Sequence, residues 1–217
     1  MKRVLVADDH SIVRLGASII IKEVLKTEDI VHAESYDEAK SKIQEAQYDL
    51  LILDLNMPGG NNIRMVQEIL NLQPEIKILV FSSYDEQIYA LRYIEAGAMG
   101  YLNKSTSMLE LRDALERLKE GKKYMSDSVR DQYIEILTKS KTEVNKKNPL
   151  LTLSDRETDV AKQLIKGYGV VDVAKAMDLN PSTVSTYKSR IFKKLNIKNI
   201  PELIKIFSLN TDQQFLD

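Results

Sequence analysis

The chain of 217 residues carries 31 Lys and Arg against 32 Asp and Glu and has no Cys, which excludes disulfides and thiolate metal sites and fits a reducing compartment. No apolar run approaches the roughly 18 residues that span a bilayer, and the N-terminus opens on strand-like sequence instead of a signal peptide, so a cytoplasmic location is expected. The length accommodates two small domains, each with its own core.

Short apolar runs, VLVA at 4–7, LLIL at 50–53, ILVF at 78–81 and MGYL at 99–102, read as buried strands, with a further strand at Ile30–Glu34. Helical periodicity fills the intervals at Ser11–Leu25, Tyr36–Gln47, Ile63–Leu72, Glu86–Ala96 and Met108–Glu120, and Gly97 and Gly121 mark helix ends. This (βα)5 order predicts an α/β domain built on a doubly wound parallel sheet with crossover helices. In such a sheet the carboxyl ends of the strands share one edge. There the sequence sets Asp8-Asp9, Asp54, Ser82 and Lys104, each just after an apolar run.

Three carboxylates crowded together repel one another unless a cation joins them. A hard, oxygen-loving ion such as Mg2+ resolves that conflict. With it in place Asp54 can attack a phosphoryl group to give an aspartyl phosphate. Lys104 would then neutralise one phosphoryl oxygen and Ser82 donate a hydrogen bond to another, the positioning and charge stabilisation that phosphoryl transfer requires. A single Asp after a strand is ordinarily a helix cap or a turn residue. Five residues of complementary chemistry at strand ends are not accounted for in that way.

The segments VLVADDH, LLILDLNMPGG, ILVFSS and AGAMGYLNKS resemble, in order and spacing, the receiver domain of two-component response regulators over residues 1–122. The resemblance implies that Asp54 is the phosphoacceptor and that Asp8, Asp9, Asp54 and the backbone carbonyl of Asn56 hold Mg2+. It also implies that Ser82 and Lys104 bind the phosphoryl group, and that Tyr101 turns inward as the Ser82 hydroxyl moves toward phosphate. Ser82 replaces the more frequent Thr and keeps the hydroxyl, while the Ser-Thr-Ser after Lys104 is less typical.

Residues 123–149 read as a connector: a short helix at Asp127–Leu137, then Thr138–Pro149, rich in Lys, Asn, Ser and Thr, as a flexible tether. The charge balance changes across it, from 15 − 20 = −5 over residues 1–122 to 10 − 8 = +2 over 150–217. Leu179–Pro201 holds Lys188, Arg190, Lys193, Lys194 and Lys198 and no acid, which suits a polyanion, although a charge run is ordinarily just a solvated helix face.

Over residues 150–209 the sequence predicts a small all-α domain of four helices, with 210–217 as a tail. Ser154–Glu157 has the capping-box pattern and opens a helix to about Lys166 with Val160, Ala161, Leu164 and Ile165 buried. Gly167 and Gly169 break it, Val170–Met177 forms the second, Asn180-Pro181 starts the third, and Asn199 with Glu202 opens the fourth. On the third helix Val184, Tyr187, Ile191 and Leu195 form a buried stripe. Ser182, Ser185, Thr186, Ser189 and Lys193 lie opposite, with Lys188 and Arg190 on the flanks. Hydroxyls can read base edges in a major groove while flanking cations suit phosphates.

The segments LSDRETDVAKQLIKG, VVDVAKAMDLNPSTVSTYKSRIFKKLNIKN and PELIKI resemble the LuxR-type helix-turn-helix domain of NarL/FixJ response regulators, with TVSTYKSRI closest to the BvgA/EvgA-like subgroup. The implied groove-facing positions are Ser185, Thr186 and Ser189. Many relatives have Lys where this chain has Ser185, which cannot make a bidentate contact to guanine, so a different recognised sequence is expected.

Together the two resemblances imply a transcriptional regulator, not an enzyme, phosphorylated on Asp54 by a sensor histidine kinase. They imply that it dimerises on double-stranded promoter DNA because one such unit reads a half-site. RNA polymerase is a further candidate partner. The switching element is expected to involve Ser82, Tyr101 and the helix at Glu86–Ala96, and Leu203, Ile204 and Phe207 are candidates for either the dimer contact or core packing. A phosphate-independent receiver used for dimerisation or docking is one alternative. A metal-dependent phosphotransferase is another, disfavoured because Asn56 stands where such enzymes have a second acid. Neither His10 nor His32 lies in a kinase phosphohistidine motif.

Overall fold

Short runs of Val, Leu and Ile that are apolar on both faces must be covered on both faces, and this chain does so with helices. The computed structural model describes residues 1–60, 63–138 and 148–210, in two compact units, Met1–Tyr133 and Ile134–Asp217. In the first, β1 (Arg3–Ala7), β2 (Asp29–Ala33), β3 (Leu50–Leu53), β4 (Lys77–Ser82) and β5 (Gly100–Asn103) pair in parallel in the order β2-β1-β3-β4-β5. Between and after them run α1 (Ser11–Leu25), α2 (Tyr36–Glu45), α3 (Arg64–Leu72), α4 (Glu86–Glu95) and α5 (Met108–Lys119).

Val4, Val6 and Ile52 turn to one face, where α1 and α5 pack through Ile21, Leu115 and Leu118. Leu5, Leu51 and Leu53, also fully buried, fall on the opposite face by the two-residue period of a strand. The strand order reverses at β1, so the crevice between the ends of β1 and β3 is the topological switch point where such sheets bind ligands. Asp8 and Asp54 are the first residues beyond those two ends.

The first unit runs past residue 122. The Tyr124 amide donates to the Met99 carbonyl at 2.9 Å, and Tyr124 bridges Gly100 on the outer edge of β5. Gly100 permits this approach, since a Cβ there would lie 3.1 Å from that of Tyr124 and 3.0 Å from Leu79. Tyr124 and Val129 are buried. The helix that follows, α6 (Asp127–Thr138), is tied to α4 at its start: the Ser126 and Ser128 hydroxyls each donate to Glu86 Oε1 at 2.8 Å, and Gln132 donates to the Gln87 carbonyl. Of the expected tether, Thr138 closes α6, Pro149 opens a short 3-10 turn (Pro149–Thr152) that buries Leu150, and residues 139–147 lie outside the described residues.

In the second unit α7 (Asp155–Ile165), α8 (Val170–Ala176), α9 (Pro181–Leu195) and α10 (Ile200–Asn210) follow that turn. The capping box forms as expected, Ser154 Oγ accepting from the Glu157 amide and Glu157 Oε2 from the Ser154 amide. α9 packs on α7 and α8, and Asp178, at φ 51°, turns the chain between α8 and α9. Asn180 sits at the N-cap of α9 but makes no side-chain cap bond, and Pro181 occupies the first turn.

One detail differs from the sequence reading. Ile165 and Tyr187 are half-buried, because each lies at the border of its helix's apolar stripe. Of the three residues offered for either a dimer contact or core packing, Leu203 and Phe207 are 0% and 4% exposed and fill the core of their own unit, and Ile204 is half-buried. The tail from residue 211 lies outside the described residues. Among the described residues no helix is long and apolar enough to cross a membrane.

Candidate functional site

The pocket is built by continuing the sheet's backbone bonds one residue beyond the strands. The Asp8 amide donates to Ala33, the Asp54 amide to Ala7 and the Lys104 amide to Ser82, at 2.8–3.0 Å, so the three side chains emerge from fixed backbone at one edge. Lys104 Nζ lies 2.6 Å from Asp8 Oδ2 and 2.9 Å from Asp54 Oδ2. Asp54 Oδ1 accepts from the Asn56 amide at 3.2 Å, whereas its Oδ2, wholly buried, accepts no aligned hydrogen bond.

Two buried carboxylates thus divide one ammonium. Burial pushes the Asp54 carboxyl above its usual range, Lys104 and the Asn56 amide oppose this, and the Asp8 charge adds to it. Asp8, Asp9, His10 and Asp54 present ligand atoms within 4.8 Å of one another, with Asp9 and His10 at the exposed mouth. His10 Nδ1 is 2.7 Å from Asp9 Oδ1, and the His10 amide donates to Asp8 Oδ1 at 2.9 Å. An acidic oxygen set with one buried oxygen unpaired by hydrogen bonding fits a hard divalent cation.

Ser82 and Tyr101 flank this pocket. Ser82 is buried, and its Oγ accepts from the Tyr84 amide at 3.3 Å. Tyr101 is 1% exposed and its hydroxyl donates to the Tyr84 carbonyl at 2.9 Å, so the ring faces inward, and burial pushes its phenol far up. Sequence reasoning missed Tyr84, which also receives Asn103 Nδ2 on that carbonyl, donates its hydroxyl to Asn56 Oδ1 at 3.3 Å and stacks on Tyr89. Nothing in the sequence marks a Tyr two residues after Ser82 as a hub. It also missed Arg14, which is buried on α1 and donates to the Asp8 carbonyl at 2.7 Å. A charged residue on the apolar side of an amphipathic helix was the available signal.

In the second unit Ser182, Ser185, Thr186, Ser189, Arg190 and Lys193 are all exposed on α9. The Thr186 and Ser189 hydroxyls donate back to the carbonyls of Ser182 and Ser185, which leaves their lone pairs outward as acceptors. Lys188 is half-buried, its ammonium 5.6 Å from the centre of the Phe192 ring. Lys194, part of the basic run in sequence, is engaged internally, 2.6 Å from Glu157 Oε2 and 3.1 Å from the Thr152 carbonyl.

A family model described as the response regulator receiver domain matches residues 4–116, and one described as bacterial regulatory proteins of the luxR family matches residues 151–207. Response regulator GacA of Pseudomonas viridiflava is 31% identical over 203 residues, 94% of each chain. Oxygen regulatory protein NreC of Staphylococcus epidermidis is 32% identical over 207 residues, 94% of this chain and 95% of that one. Among solved structures, that of two RcsB dimers bound to two parallel DNAs has a TM-score of 0.58 at 25% identity, covering 97% of this chain and 99% of that one. RcsB of Salmonella typhimurium gives a TM-score of 0.71 at 23% identity over 98% of this chain and 100% of that one, a likeness of fold alone.

Proposed function

The chain belongs to the NarL/FixJ response regulators, joining a receiver domain to a LuxR-type DNA-binding domain, and from that membership we propose that Asp54 accepts a phosphoryl group from a partner sensor histidine kinase and thereby controls binding to promoter DNA. The observation that carries this reading is Asp54 Oδ2, buried beyond β3, without an aligned hydrogen bond and 2.9 Å from an ammonium. That oxygen is the nucleophile. Lys104 releases one of its two carboxylates to pair with a phosphoryl oxygen, and the Ser82 hydroxyl donates to another.

Asp8, Asp9, Asp54 and the Asn56 carbonyl are the residues that would hold Mg2+, which when bound neutralises phosphoryl charge and orients the group. Tyr84 is the residue through which a moved Ser82 reaches Tyr101 and α4, since its amide bonds Ser82, its carbonyl bonds Tyr101 and its ring stacks on Tyr89. The added charge of about −1.5 to −2 biases that element. On α9, Ser185, Thr186 and Ser189, with Ser182, face base edges, while Lys188, Arg190 and Lys193 meet phosphates. The active form is a homodimer reading two half-sites, a reading supported by the RcsB dimers on DNA. It acts in the cytoplasm, where promoter DNA and RNA polymerase are, and the adduct serves as a signal with no substrate turnover.

The test is intact mass and promoter-DNA affinity with and without Mg2+ and acetyl phosphate, on wild type and Asp54→Ala. One phosphoryl adduct absent from the variant, with tighter DNA binding by the adduct, is expected. An adduct that leaves DNA affinity unchanged removes the switch, and no adduct from either acetyl phosphate or a kinase removes Asp54 as acceptor.

A further inference from the structure

Arg14 has a side chain only 9% exposed, and a buried guanidinium is costly unless fully engaged. One arm ion-pairs with Glu34, an exposed carboxylate just past the end of β2. The other donates to the Asp8 carbonyl at 2.7 Å, while Nε finds no partner among the described residues. That carbonyl belongs to the peptide joining Asp8 to Asp9, so the bond fixes the plane from which both carboxylates leave the backbone. The peptide on the other side of Asp8 is fixed as well, its amide donating to Ala33. Arg14 itself is steadied from below, where the Ser18 hydroxyl donates to its carbonyl at 2.7 Å and lies 2.9 Å from His32 Nε2.

We propose that Arg14 is a positioning residue that presets the Asp8–Asp9 peptide, and with it both carboxylates, for the divalent cation. The inference rests on the reading of Asp8 and Asp9 as cation ligands. Its role is that of the partners that orient a metal's ligands, whose loss commonly weakens metal binding about 10- to 100-fold. It touches neither the phosphoryl group nor the nucleophile, so its loss should act on cation affinity and leave the saturated reaction alone. A merely structural arginine would instead affect folding with no selective change in cation binding.

The experiment is Mg2+ titration by calorimetry on the full chain without a phosphodonor, together with the rate of phosphorylation by acetyl phosphate as a function of Mg2+. The proteins are wild type, Arg14→Met, Arg14→Lys and Glu34→Gln. Arg14→Met is expected to weaken Mg2+ binding by about tenfold with the rate at saturating Mg2+ kept within about twofold, and Arg14→Lys, which can still reach the Asp8 carbonyl, to recover most of the affinity. If Arg14→Met does not fold, Glu34→Gln, at an exposed side chain, still loosens the guanidinium and should shift affinity in the same direction. Wild-type Mg2+ affinity in the folded variants overturns the role of Arg14 alone. A wild-type protein that binds no Mg2+ overturns the ligand reading beneath it.

Discussion

Asp54 and Glu157 are both buried carboxylates in contact with a lysine, at 2.9 Å from Lys104 and 2.6 Å from Lys194, yet their acidities move in opposite directions. Burial pushes both upward. For Asp54 burial prevails, because Lys104 is divided with Asp8 and only one backbone amide helps. For Glu157 burial is outweighed: among the described residues Lys194 has no second acid, the Ser154 amide donates at 2.7 Å, and the carboxyl is held below its usual range. Lys194 also keeps its side chain 41% exposed, so its ammonium stays partly hydrated, whereas Lys104 is 15% exposed. The ratio of acids to cations, and not the presence of an ion pair, sets the direction in which each carboxyl moves.

The sharpest way to break this contrast is Lys104→Met, which leaves Asp8 and Asp54 facing each other without a cation. In metal-free buffer at pH 7 it should cost about 3 kcal/mol by urea unfolding, and the deficit should shrink toward pH 4 as a carboxyl takes up a proton. Equal stability to wild type at pH 7 would mean that Lys104 does not offset the burial of Asp54. Glu157→Gln comes next, at about 2 kcal/mol. Because the folded value lies below 4.5, its contribution is complete above pH 4.5 and is lost as pH falls through the folded value, so the melting curves of variant and wild type should converge only in that acid range.

Asp54→Asn should do the reverse and stabilise the metal-free protein by about 1 kcal/mol at pH 7. Its folded value lies above 3.8, so the wild type loses stability as pH rises from 3.8 through the folded value, and the gain from Asn should vanish below 3.8. The smallest effects belong to exposed charge. Lys193→Ala should lower the slope of log K against log salt for promoter DNA by about 0.9 with stability nearly unchanged, and Lys188→Ala should lower the slope likewise but at some cost in stability, since that side chain is half-buried beside Phe192. Lys194→Ala, one residue further along α9, should leave the slope alone and lower stability, since its ammonium is already committed to Glu157 and Thr152.

That last pair marks the boundary of what the sequence discloses. Lys193 and Lys194 are the same residue in the same basic run, and only the packing of α9 on α7 sends one to solvent and the other to Glu157. The strands and the acid pocket were legible because apolar runs and the residues just past them are local signals that the sheet then gathers at one edge. Tyr84 was not, because its role depends on bonds to Asn56, Ser82 and Tyr101 that have no local signature, and the place of Arg14 on the apolar side of α1 announces its burial but not the Asp8 carbonyl it meets. Tyr124 was read as connector because one bridge to Gly100 is too short a pairing to register as a strand.

That bridge sets where the receiver can be cut. An uncovered strand edge is a template for another chain, and β5 is the last strand on its side of the sheet. A fragment ending at residue 122 would bare the Met99 carbonyl and the apolar seat of Tyr124, and should associate on concentration. One ending at Tyr133 keeps the edge sealed and should run as a single monodisperse species by size-exclusion chromatography. The segment by which the chain leaves the receiver is therefore also a cover for the outer edge of β5.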